Sequence, residues 1–466
     1  MIASASSDWH ALRRAIAGEV VLPDSPGYDA VRKPAIARFD GVRPQAIVRC
    51  RTAADVAETI AAARGLELPI AVRSGGHCFA GRSSTDGVVV DVSPMGSVSV
   101  SDGVATIGAG ARLGAVYDAL DEHGVTIPAG CGPTVGIAGL TLGGGLGILG
   151  RRDGLTSDHL LAAEVVLADG RVVASDAGRE EDLLWALRGA GAAGFGVVTS
   201  LRFATLPAPP VATRMHAVWP HTAAAALVDA WQRWGPDAPD ELAASLLISA
   251  PADVRQAPVV TLTGAMAGDL SEVAPLLDEL CATAGVDRAA VVVREASYRE
   301  TKQALAQLGD PSEEGHPYSK SEFFAGLLPT DAIAALVEHF GAGRVVGQAR
   351  ELDLTPWGGA YNRVPAEATA FAHRDARFLL KHGVMVAPDA SGDARDAARR
   401  WLERSWELVH PFGSGRVYPN FPDPELADEA GAYYAGNRER VIAVKARHDP
   451  DDAFGAVPPL PQRSIG

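Results

Sequence analysis

Apolar positions along the chain follow two periods: short runs that repeat every second residue, and longer stretches that repeat every three to four. Residues 51–65 carry Ala, Val and Ile at helical spacing, with Thr52 placed to cap the start and Gly65 to end it. Residues 68–72 read as a strand running into Arg73-Ser74-Gly75-Gly76-His77, and 88–92 as another. The 97–109 stretch is a hairpin pattern about Asp102-Gly103, a pair that tolerates the positive φ of tight turns, and 160–174 repeats it about Asp169-Gly170. Between them 113–123 is an amphipathic helix stopped by Gly124, and 180–188 is helical. Strands and helices interleave in an α+β manner.

At Pro207, Pro209 and Pro210 the pattern changes to Ala/Leu/Trp-rich helices mixed with β-like runs at 257–263 and 289–294. A third segment, from Arg416, is loop-rich and closes with a helix over 437–447. The expected divisions are therefore 1–206, 207–415 and 416–466. A chain of 466 residues exceeds what one hydrophobic core usually holds, so two domains, or one interrupted by another, are expected.

Charge narrows the partners. With 42 Lys+Arg against 57 Asp+Glu the formal charge is −15, and the chain has no basic run, which argues against nucleic acid. The longest apolar stretch, 127–150, is punctuated by Gly and Pro and ends in Arg151-Arg152, so no membrane partner is expected. Glu19 and Asp24 break any signal-peptide pattern after Arg13-Arg14, and a cytoplasmic protein is expected. The cysteines at 50, 78, 131 and 281 lack metal or disulfide spacing, so no metal site is expected. Cys50 and Cys281 read as small buried hydrophobes, and Trp219, Trp231, Trp234, Trp401 and Trp406 as packing residues.

Two long glycine tracts, 72–84 and 128–147, do not fit ordinary turns. Successive glycines let backbone N–H groups approach an anion closely, which suits the pyrophosphate of a dinucleotide. Gly145-Leu146-Gly147-Ile148-Leu149-Gly150 formally matches GxGxxG, but it follows further glycines rather than a strand and precedes Arg151-Arg152-Asp153-Gly154, so a Rossmann reading is rejected.

These tracts, the turn from Arg188-Gly189-Ala190-Gly191 to Phe195-Gly196-Val197-Val198, and the tail Tyr418-Pro419-Asn420-Phe421-Pro422-Asp423 with 437–454 together resemble the berberine-bridge-enzyme-like flavoproteins of the vanillyl-alcohol-oxidase superfamily. The resemblance implies a two-part, PCMH-type FAD-binding domain interrupted by an α+β substrate domain. It places FAD against Arg73, Ser74, Gly75, Gly76, His77, Cys78 and Gly81 in the first tract. In the second it implicates Cys131, Thr134, Val135, Gly136, Gly139, Thr141, Gly143 and Gly144. Val197, Tyr418 and Asn420 complete the set. It further implies that a ring nitrogen of His77 is joined to the flavin 8α-methyl carbon. Many relatives add a cysteine thioether to flavin carbon 6, from a cysteine directly before Pro-Thr-Val-Gly. Here Gly132 fills that place and Cys131 lies one residue earlier. A one-residue shift in an extended segment turns a side chain to the opposite face, yet Gly130 and Gly132 free the local backbone. Cys131 is expected to carry the second bond, against the alternative of a small buried thiol.

The resemblance implies hydride removal from a C–H bond of an alcohol, sugar or secondary metabolite, with dioxygen reoxidising the flavin to give hydrogen peroxide. A dehydrogenase with another acceptor and a catalytically silent flavin protein are the alternatives. Such chemistry needs a base above the ring, and Tyr418 is the first candidate. A tyrosine of pKa near 10 needs a neighbouring cation to act near neutrality, for which Lys381 is the candidate, with a solvated face as its other reading. Period two puts Leu379, Lys381 and Gly383 on one face of their strand, and Phe378, Leu380 and His382 on the other.

Overall fold

The structure, a computed structural model, describes residues 2–287, 290–307 and 315–455, with main chain alone at 2–8. Met1, residue 289 of the run expected at 289–294, and residues 456–466 of the expected third segment lie outside the described residues.

The first half holds two sheets on one core. In the first sheet Glu19–Val21 lies antiparallel to Ala46–Arg49, which runs parallel to Val88–Asp91, itself parallel to Ile70–Arg73. Val88, Val89 and Val90 are fully buried, as a covered parallel strand requires. The crossover helix Ala53–Gly65 is capped by Thr52, whose side chain accepts the Asp55 N–H. The second sheet is antiparallel, in the order Val98–Ser101, Val104–Gly108, Val197–Ala204, Leu160–Val166, Val172–Asp176. Asp102 (φ 51°) and Gly103 (φ 74°) form the first hairpin turn, and Gly170 (φ 84°) lies in the second. Leu206–Pro207 still pairs with Val125–Thr126, so the proline cluster begins inside the first half.

The second half is built on a seven-stranded antiparallel sheet. Its order is Ala290–Ala296, Ala212–Pro220, Val259–Met266, Leu242–Ala250, Gln348–Pro356, Phe378–Val386, His316–Phe324. Period two is visible in burial: Leu246, Leu262, Leu352, Leu354 and Leu380 join Trp231 and Phe340 in a core beneath helices. Ser245, Thr263, Glu351, Asp353, Thr355 and Lys381 take the less buried alternate positions. The helix expected over 437–447 is Arg438–His448, and it ties the tail to the first half. Lys445, buried with Asp449 at 2.6 Å, also donates to Gly194 O at 2.7 Å. Lys320 of the large sheet meets Asp423 of the tail at 2.9 Å, both buried.

What positions the site is the contact between the two glycine tracts. A Cβ on Gly75 would meet Gly136 N at 2.3 Å, and a Cβ on Gly136 would meet Ser74 Oγ at 2.3 Å and Gly75 N at 2.4 Å. Main chain therefore touches main chain, and neither residue can carry a side chain. Ser74 Oγ donates to Ala109 O at 2.7 Å, while Ile137 N–H donates to Ala111 O and Leu113 N–H to Val135 O, anchoring both loops to one connection. Gly136→Ala must push the loops apart, and destabilisation of about 1–3 kcal/mol is expected. Urea unfolding checks this; a shift of only a few tenths of a kcal/mol would contradict the close contact.

Candidate active site

His77 and Cys131 lie on the two loops so clasped, both half-buried, and His77 Nε2 is shielded from solvent. Ser74, Gly75 and Gly136 form the clasp itself. Gly76 (φ 76°) returns the chain onto residues 34–35, and Gly81 leaves room for the Phe39 ring, which a Cβ would meet at 2.4 Å. Cys78 O accepts the Gly81 N–H in the turn between them. Gly139 opens onto space, with no atom within 4 Å of where its Cβ would stand. Thr134 and Val135 lie half-buried between Cys131 and the clasp.

Five expected cofactor contacts have a protein reason of their own. The Arg73 guanidinium is buried and donates to Ser83 O, Val31 O, Arg32 O and Ser84 Oγ, so it staples its loop. Thr141 Oγ1 donates to Ile137 O at 2.8 Å within its own helix. Gly143 makes way for Asn420 Oδ1, which a Cβ would meet at 2.2 Å, and Gly144 for the Phe371 ring at 2.8 Å. Val197 is buried in a strand paired with Val166, leaving its main chain as what it can offer. The end of the GxGxxG match is likewise packing: a Cβ on Gly147 would meet Ala129 O at 2.2 Å, and Gly150 abuts the Tyr361 hydroxyl.

Tyr418 is the joint between tract, tail and sheet. Its hydroxyl oxygen accepts N–H bonds from Gly145 (3.1 Å), Leu146 (3.1 Å) and Asn420 Nδ2 (3.0 Å), and Asn420 is fixed by donating to Leu140 O at 2.9 Å. Aromatic rings box it in: Phe421 at 5.1 Å, Phe371 at 6.2 Å, Phe323 at 6.3 Å and Trp357 at 6.4 Å between centroids. Burial raises its pKa to about 12, outweighing the three N–H donors that favour the phenolate. The Lys381 ammonium pairs with Glu351 at 3.1 Å and lies over the Phe421 ring, 5.2 Å from its centroid, and that ring in turn packs on Tyr418. Leu379 does share the Tyr418 cluster while Phe378 and Leu380 join the helix-covered core, as period two requires.

Sequence reasoning missed Asp353. It neighbours Lys381 across the strands, and burial, followed by Lys381 and Glu351 with opposing effects, lifts its carboxyl towards neutrality. It also missed the box of Phe323, Trp357 and Phe371, whose one signal was an aromatic density around 356–371. His373, stacked on Phe323 at 4.6 Å, is fully buried and held neutral by desolvation, its pKa pushed down to about 3. Among the described residues no group of three or more His, Cys, Asp or Glu is placed to hold a metal, and no helix is long and apolar enough to cross a membrane.

The donor set suits a redox cofactor taken up by protein nucleophiles: an imidazole and a thiol on clasped main-chain loops, with a buried phenol nearby. The family described as "FAD binding domain" matches residues 44–176, and "Berberine and berberine like" matches residues 417–461. The chain is 33% identical to aclacinomycin-N/aclacinomycin-A oxidase of Streptomyces galilaeus, over 91% of this chain and 86% of that protein. It is 30% identical to the FAD-linked oxidoreductase YvdP of Bacillus subtilis, over 94% and 97%. The structure of glucooligosaccharide oxidase from Acremonium strictum, which carries a 6-S-cysteinyl, 8α-N1-histidyl FAD, is similar with a TM-score of 0.88 at 27% identity, covering 97% of this chain and 99% of that one. The chain belongs to the berberine-bridge-enzyme-like FAD-linked oxidoreductases.

With its pKa raised, Tyr418 holds its proton above the usual tyrosine value near 10; the stability this lends the fold is complete below about pH 10 and vanishes towards pH 12. In an ultraviolet difference titration of wild type against Tyr418→Phe, no tyrosinate signal from Tyr418 is expected below about pH 10. Ionisation near neutrality would contradict the burial argument.

Proposed function

We propose that the protein is an oxidase of a hydroxylated small molecule. A hydride leaves a carbinol C–H bond for FAD, the hydroxyl proton leaves to protein, and dioxygen takes the two electrons and two protons away as hydrogen peroxide. FAD, when bound, supplies the two-electron acceptor. His77 holds it through an imidazole nitrogen and Cys131 through its sulfur, while Ser74, Gly75, Gly136 and Gly139 shape the loops around it. Two relatives are named for oxidation of aclacinomycin and of glucooligosaccharide, which supports a hydroxylated substrate here.

The observation that carries the reading is the Tyr418 hydroxyl, held by three N–H donors beside the second glycine tract. Those donors are arranged to stabilise a phenolate, so Tyr418 takes the substrate proton and Asn420 orients it. At rest the oxygen is protonated, so the base form grows about tenfold per pH unit below its pKa. Ser245, Thr355, Asp353 and Lys381, on the less buried face of the large sheet, offer a polar surface for the rest of the substrate.

Anaerobic mixing with a panel of sugars and glycosides should bleach the flavin, and air should restore it with release of peroxide. With an active substrate, Tyr418→Phe should slow reduction by on the order of a hundredfold and flatten a rate that in wild type rises from about pH 6 to about pH 9. Equal rates and equal pH slopes in both proteins would remove Tyr418 from the role.

A further inference from the structure

Helix Tyr298–Ala306, started by a capping box between Ser297 and Glu300, belongs to the second half of the chain but docks on helix Leu113–Asp121 of the first. Arg299 pairs with Asp118 at 2.5 Å and Asp121 at 3.7 Å on the outside of this contact. Inside it, Lys302 is 3% exposed. Its ammonium donates to the Tyr117 hydroxyl (2.5 Å), Ala129 O (2.5 Å) and Gly130 O (2.8 Å), and Tyr117 itself donates to Gly130 O at 2.8 Å. Among the described residues no carboxylate pairs with this buried lysine, which faces two carbonyls and a phenol, an expensive arrangement for a contact that only had to join two helices.

The acceptors are the two residues immediately before Cys131. In an extended segment successive carbonyls point to opposite sides, so two consecutive ones cannot reach one ammonium. Here they do. The chain is therefore not extended at 129–130, and it bends at Cys131 itself. With the chain bent here, one residue of offset does not fix the sulfur on the face an extended strand would impose. Burial pushes the pKa of the Lys302 ammonium down to about 8 and those of the Tyr117 and Tyr298 phenols up, and Cys131 bears on all three as a smaller influence.

We propose that Lys302 is the positioning residue for the cysteinyl–flavin bond: reaching across from the other half of the chain, it fixes the turn at Ala129-Gly130 that presents Cys131 to the cofactor. This rests on the reading of Cys131 as a flavin ligand given above. In the net step one S–C6 bond forms, the S–H and C6–H bonds break, and the two electrons and two protons released pass to dioxygen as hydrogen peroxide. The His77 bond has no part in this contact and should form without it.

The test compares purified wild type, Lys302→Met and Tyr117→Phe as holoproteins, by mass spectrometry of the tryptic peptides bearing Cys131 and His77 and by the flavin absorption spectrum after denaturation. Lys302→Met should keep flavin on the His77 peptide while the flavin-bearing fraction of the Cys131 peptide falls at least tenfold, with the spectrum changing to that of a singly linked flavin. Retained His77 attachment shows that the fold and FAD site survive, which a general packing defect would not spare. Tyr117→Phe, a milder change, should lower the doubly linked fraction in the same direction and covers the case in which Lys302→Met does not fold. A Cys131 peptide flavinylated to the wild-type extent in either folded variant overturns the positioning role. A wild-type Cys131 peptide free of flavin overturns instead the two-bond reading beneath it, and the role with it.

Discussion

Main chain lying on main chain at Gly75 and Gly136 is the constraint on which the rest of this structure depends. Each glycine lacks a Cβ because the other loop fills that space. The contact fixes both tracts with no side-chain freedom between them. From it the chain runs directly to His77 on one side and back through Val135 and Thr134 to Cys131 on the other. The connection at Ala109–Leu113 holds both loops through hydrogen bonds.

The tail completes what the clasp begins. Asn420 fits only because Gly143 has no side chain, and once seated it fixes the Tyr418 hydroxyl against two N–H groups of the same tract. Three donors on one phenol oxygen favour the anion, while the surrounding rings withhold water and disfavour it. Burial wins, which leaves Tyr418 protonated despite its three donors. The Lys320–Asp423 pair keeps the tail on the large sheet, and the bond from Lys445 to Gly194 O keeps it on the first half, so the tyrosine is positioned from both sides.

Local chemistry was legible in the sequence. The Thr52 cap, the Asp102-Gly103 and Asp169-Gly170 turns and the stop at Gly124 lie where their residues place them, because each is decided within a few residues. Period two also separated Leu379 from Leu380 correctly, since a strand buried on one face by helices leaves no other register. What eluded reading was the partner across space. Arg73 and Thr141 entered through the family resemblance, and what no local pattern records is that their side chains donate to Ser83, Val31, Arg32 and Ile137. Lys381 lay on the expected face, but Glu351 and Asp353 come from a strand it meets only through sheet pairing. Phe323, Trp357 and Phe371 form one box around Tyr418 although Phe323 lies in a strand and the other two in separate loop positions, and no periodicity records that convergence. Lys302 reads as an ordinary helix lysine until the fold buries it against Ala129 and Gly130.

The account stands on the clasped loops being a site of covalent FAD attachment. The most direct measurement is the intact mass of the holoprotein after denaturation in acid. One FAD per chain added to the polypeptide mass, lost when His77 is replaced by Ala together with Cys131 by Ser, is the predicted result. A wild-type chain at its bare polypeptide mass, with the flavin recovered free in the supernatant, would contradict it.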